Sequence, residues 1–151
     1  MRGAFILLAG SVVLAAPSTL FAQDGPTNYR GYAYPSCPTP AVRLVALVGR
    51  VPEGVPSSAP RPSIEIVFPE GVEKAVGQKL TVGPKAASGG AIVLSCPVVG
   101  DCAAADSGSV TIAKRADDGG LSGEFRAAWS VGVPRTGRFN VAFRNVPQKC
   151  S

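Results

Sequence analysis

Between residues 107 and 145 apolar side chains recur at every second position, in runs separated by turn residues. Leu121, Gly123, Phe125, Ala127, Trp129 and Val131 share one parity, while Ser122, Glu124, Arg126, Ala128 and Ser130 share the other. Phe139, Val141 and Phe143 alternate in the same way with Arg138, Asn140 and Arg144. A period of two is what a half-buried antiparallel strand requires, and a helix would scatter these aromatics around its circumference. The pattern predicts a three-stranded meander with strands over 109–116, 121–131 and 137–145.

Turn chemistry proposes a register. Asp118-Gly119 as a two-residue hairpin loop favours a type I′ turn, in which both central residues take positive φ. That register sets Ile112 opposite Phe125 and Val110 opposite Ala127. The neighbouring Asp117 and Gly120 also allow a bulged turn, which shifts the pairing. Across the second turn, aromatic matching sets Trp129 opposite Phe139 and Phe125 opposite Phe143. It also places Glu124 opposite Arg144.

The remaining chain supplies strands to finish a β-domain around this unit. Residues 41–50 are apolar on both parities, which predicts a central strand covered on both sides. Residues 63–68, 78–82 and 91–96 read as further short strands, with Pro69 ending the first. Residues 51–62 hold four prolines and read as a loop. Residues 74–79 offer one helical turn at most. About seven short strands without a convincing helix predict an all-β, antiparallel, disulfide-stapled sandwich, with a small β-barrel as the alternative.

The first 22 residues have the form of a secretory signal. Met1-Arg2 gives a positive start, residues 4–16 are apolar, and Pro17 precedes Leu20-Phe21-Ala22. The apolar run is short for a span of about 20 residues. Cleavage after Ala22 is expected, followed by an extended lead-in at 23–40 carrying Tyr29, Tyr32 and Tyr34, and then a single β-domain over 41–151. All four cysteines lie beyond the leader. An even count in an exported chain predicts disulfides. Pro97 and Gly100 suit a tight loop closed by Cys96–Cys102, leaving Cys37–Cys150 to fasten the ends of the domain. The expected location is secreted or periplasmic.

The chain contains no histidine. That removes Ser-His-Asp and Cys-His catalysis, His-ligated zinc and the usual base near neutral pH. With no Cys-x-x-Cys spacing either, no metal or other cofactor is expected. Asp101, Asp106, Asp117 and Asp118 offer calcium a site only if their two loops meet, and they lack EF-hand spacing. Glu124, beside Arg126 and expected to face Arg144, is a poor general acid because cations stabilise its charged form. No enzymatic function is expected.

The net charge of +5 is spread singly along the chain, without a stripe that would mark a nucleic-acid partner. What remains is a polar outer face on the meander, where Arg115, Arg126, Arg138 and Arg144 are expected together with Asn140. Guanidinium groups on a shared face suit an anion. Arg126, Arg138, Asn140 and Arg144 are therefore the candidate binding residues. The expected function is an exported, non-enzymatic β-domain binding a protein or acidic glycan at the cell envelope. The alternatives are a small-molecule carrier with a barrel cavity and, more remotely, a carboxylate-dependent hydrolase.

Overall fold

The computed structural model describes residues 27–49, 60–85 and 88–145. The expected leader at 1–22 and Cys150 lie outside the described residues. Among the described residues nine strands form one sheet: β1 (Thr27–Pro35), β2 (Val42–Leu47), β3 (Ser63–Phe68), β4 (Lys79–Val82), β5 (Ile92–Cys96), β6 (Ala103–Ala104), β7 (Ser107–Arg115), β8 (Leu121–Ala128) and β9 (Arg135–Phe143). Their order is β4-β7-β8-β9-β1-β2-β3-β5-β6. Every neighbouring pair is antiparallel except β1 with β9.

The sheet curls like a half-barrel, and its two ends meet. β6 pairs with β5 and then runs on into β7, which pairs with β8 and β4. At the join, the Ala105 amide donates to Val93 O at 2.8 Å and the Asp106 amide donates to Ala128 O at 2.9 Å. Consecutive amides thus bond opposite sides of one seam. The Ala91 amide donates to Thr81 O at 3.0 Å, and a parallel bridge between Val82 and Ala91 joins the end of β4 to the start of β5.

The curl encloses one core. Leu44, Ile64, Ile66, Phe68, Val93, Val110, Ile112 and Leu121 are its largest fully buried side chains. Tyr29, Phe125, Phe139 and Val141 join them. β2 lies between β1 and β3, with Val42, Leu44 and Ala46 in this core and Val45 also buried on the opposite parity. A strand covered on both faces is what apolar residues on both its parities demand.

The extended lead-in contributes more than a connection. Its β1 is a nine-residue strand held between β9 and β2. With the two-residue β6, it raises the strand count above the expected seven.

The meander forms where the sequence places it, but both registers differ from expectation. Val110, not Ile112, stands opposite Phe125, and Ile112 stands opposite Gly123. The turn is a three-residue loop: Ala116 and Gly120 pair through a 2.8 Å bond, and Gly119 takes φ +86°. The Asp118 carboxylate accepts from the Gly120 amide at 2.9 Å and fixes that shape. A bulge between Ile112 and Lys114 absorbs the added residue. Across the second turn Phe125 faces Gly137 and Glu124 faces Arg138, in place of Phe143 and Arg144. Trp129 has left the strand there, because its indole N–H donates to Ala103 O at 3.0 Å across the seam.

Candidate functional site

A shallow groove crosses the outside of the sheet from β4 to the ends of β1 and β2. It exists because β7, β8, β9 and β1 turn their polar parity outward while their apolar parity fills the core. The ladders set Thr111, Glu124, Arg138 and Asn28 in one row across four strands. Ser122 and Asn140 lie opposite each other in the next row. The central concavity has a volume of about 940 Å³, with Asn28, Arg30, Thr111, Ser122, Glu124, Arg138 and Asn140 around it.

Two further concavities extend it. One of about 280 Å³ shares Thr111 and Glu124 and adds Lys79, Ser109, Arg126 and Thr136. The other, of about 750 Å³, shares Asn28 and Arg30 and ends at Leu47, Gly49 and Arg61. Neighbouring strands lie about 4.8 Å apart, so the track is roughly 20 Å long over the five strands from β4 to β1.

The electrostatics are one-sided. Among the described residues Lys79, Arg126, Arg138, Arg30 and Arg61 line the track, against one carboxylate, Glu124. The Arg61 Nη2 atom is buried and has no hydrogen-bond partner among the described residues. A buried guanidinium nitrogen left unpaired is costly and favours an incoming acceptor. Arg126, Glu124, Arg138 and Asn140 are all exposed. The rings of Tyr29, Phe125 and Phe139 are buried, with Tyr29 tilted against Phe125 at 5.5 Å between centroids. The groove therefore offers guanidinium, amide and hydroxyl groups above a floor that includes the buried Tyr29, Phe125 and Phe139.

Of the four predicted binding residues, the sheet brings Arg126, Arg138 and Asn140 to this track. Arg144 lies elsewhere, with its guanidinium carbon 4.3 Å from the centre of the Tyr32 ring. Tyr32 in turn stacks on Tyr34 at 6.0 Å. Arg115 is also displaced from the expected outer set. The bulge before Lys114 moves it opposite the buried Leu121, and it pairs with Glu73. Parity alone did not show Lys79, Asn28, Arg30 and Arg61, because they come from distant segments that only the strand order brings together.

Two of the loop aspartates hold backbone amides. Asp106 accepts the Ser130 amide and Asp118 accepts the Gly120 amide. These loops lie at opposite ends of the nine-residue β7, so the aspartates do not gather around a common point. Among the described residues no three His, Cys, Asp or Glu side chains form a metal-binding group.

Cys96 and Cys102 form the expected short disulfide, and Cys37 is also disulfide-bonded. This chemistry fits an oxidising environment. Among the described residues no helix is long and apolar enough to cross a membrane. No protein-family model, curated protein or solved structure matches the chain.

Proposed function

We propose that this protein is an exported, non-enzymatic binding domain of the cell envelope, which holds an acidic glycan chain in the outer groove. The observation carrying this reading is the continuous track from Lys79 and Arg126 through Arg138 and Asn140 to Arg30 and Arg61. Guanidinium groups make paired, charge-assisted hydrogen bonds to carboxylate or sulfate, and Asn, Ser and Thr serve the neighbouring hydroxyls. A linear polymer matches a long, shallow and open track better than a compact ligand does.

Neutral sugars and single-stranded nucleic acids both favour exposed aromatic faces, which this groove lacks. Glu124 is the single carboxylate among the described residues of the groove, which also disfavours glycoside cleavage, since that ordinarily uses two carboxyl groups flanking the bond. A carrier role finds less support, since large apolar side chains fill the interior of the curl. The leader-like start and the disulfides support an exported location.

The test compares binding of the mature domain to uronate-rich and neutral polysaccharides, for wild type and for Arg126→Glu with Arg138→Glu. The expected result is salt-sensitive binding to the acidic polymer alone, lost in the double variant. Equal binding of neutral and acidic polymers, or an unaffected variant, contradicts the reading.

A further inference from the structure

Five large apolar side chains are exposed among the described residues, and four of them lie at one end of the sheet. Val98 and Val99, 53% and 86% exposed, sit on the loop between β5 and β6. Val131 and Val133, 89% and 78% exposed, sit on the loop between β8 and β9. The seam brings these loops side by side. Ala103 closes the β5–β6 hairpin opposite Ser95, and its carbonyl accepts the Trp129 indole N–H. Asp106 accepts the Ser130 amide at the base of the second loop.

Both tips are therefore held rather than loose. The Cys96–Cys102 disulfide closes the first, and the Trp129 and Asp106 bonds anchor the second. Each tip consists of valine, glycine and proline: Pro97-Val98-Val99-Gly100 and Val131-Gly132-Val133-Pro134. Fixing two loops so that valines point into water has no benefit for the core, which none of the four joins.

We infer that this end is a membrane-docking edge, at which the two valine tips enter the headgroup–acyl boundary of an anionic lipid surface. A protein partner fits less well. Four valine tips present less than the ~800 Å² that each side contributes to a stable protein complex. The two tips, Pro97 to Gly100 and Val131 to Pro134, also carry no aromatic side chain of the kind that dominates such interfaces. A lipid surface needs only shallow apolar insertion and nearby positive charge. Arg135 follows the second loop directly, and Arg126 is exposed one ladder position from it. Asp101 and Asp106 are the opposing charges at this end, and Asp106 is occupied by the Ser130 amide. Shallow insertion leaves the loop backbone within reach of water.

The test uses the chain's single tryptophan, Trp129, at the base of the second loop. The mature domain is mixed with phosphatidylcholine vesicles with and without phosphatidylglycerol, and binding is read by flotation and Trp129 emission. Wild type is expected to float with the anionic vesicles and to shift its emission to the blue. Val99→Glu with Val131→Glu is expected to abolish both effects while keeping the wild-type unfolding midpoint. Arg135→Gln is expected to weaken binding about fivefold, the contribution of one surface cation. Absence of wild-type flotation with either vesicle overturns the inference, including the case where the tips instead engage a protein. Undiminished flotation of the valine variant overturns it as well.

Discussion

Phe125 on β8 stands directly opposite Gly137 on β9, and the missing side chain is what the ring requires. A Cβ atom at Gly137 would come within 2.2 Å of Tyr29 Cε2 and 2.8 Å of Phe125 Cε1. The arrangement recurs two positions along the same ladder, where Gly123 faces Phe139 and a Cβ would lie 2.7 Å from that ring and 2.1 Å from Thr111 O. Each glycine makes room for the aromatic across from it, and the two pairs lie beneath the centre of the groove.

Gly137→Ala is therefore expected to destabilise the domain by about 1–3 kcal/mol, the usual cost of overpacking a filled core. Chemical denaturation checks this through a lower midpoint at unchanged slope. A midpoint equal to that of wild type would mean that Tyr29 and Phe125 do not pack over this glycine.

The same pairs show how far the sequence could be read. Alternation assigned Phe125, Ala127, Phe139 and Val141 to the core and Glu124, Arg126, Arg138 and Asn140 to the outside, and the structure agrees. It missed both registers, by one residue at the first turn and two beyond the bulge, and by six at the second turn. Beyond the bulge both slips are even, and an even slip leaves side chains on their own face; Arg115, between the bulge and the turn, moved. Periodicity thus identifies faces but leaves partners undetermined. The partners were decided by Gly119 and the bulge near Lys114 in one turn, and by the Trp129 hydrogen bond in the other. Aromatic-on-aromatic matching was the wrong criterion, because bulky rings on the inner face needed glycines opposite them. The groove was half legible for a related reason. Arg126, Arg138 and Asn140 lie within the meander, whereas Arg30 and Arg61 reach it only through the parallel pairing of β1 with β9 and the order of the strands beyond.

The Cys96–Cys102 loop spans a sequence separation of six. Closing so short a loop restricts the unfolded chain modestly, so replacing both cysteines by serine is expected to cost about 2 kcal/mol. Thermal unfolding of the double variant, compared with wild type under non-reducing conditions, measures the difference. No loss of stability would show that the β5–β6 hairpin holds itself without the bond.

Tyr34 predicts an alkaline limit. Burial raises its hydroxyl above the ordinary value of 10.0, with Glu65 adding to the shift and Arg43 opposing it. The folded state then keeps its proton at a pH where the unfolded chain has begun to lose it. Stability is full below the unfolded value and falls as pH rises through it towards the folded value. Denaturation midpoints measured from neutral to strongly alkaline pH are expected to fall more steeply for wild type than for Tyr34→Phe. Identical slopes would remove Tyr34 as the cause.

Arg43 and Glu65 form a 2.8 Å ion pair between neighbouring strands, partly shielded from water. Glu65→Gln is expected to cost about 1 kcal/mol or less, as for most ion pairs open to solvent, and to soften with salt. Denaturant titrations at low and high ionic strength measure both effects. A loss unchanged by salt would indicate that packing, not charge, is what Glu65 contributes.

The central claim is that the outer groove is where this domain binds. Amide chemical-shift mapping tests it most directly, by titrating the isotopically labelled domain with a uronate-rich oligosaccharide. The groove account predicts shifts in one connected set: Asn28 and Arg30 on β1, Ser122 to Arg126 on β8, and Thr136 to Asn140 on β9. Shifts confined to the loop ends or to the Tyr32–Tyr34 face, or no shifts at concentrations that saturate binding, would contradict it.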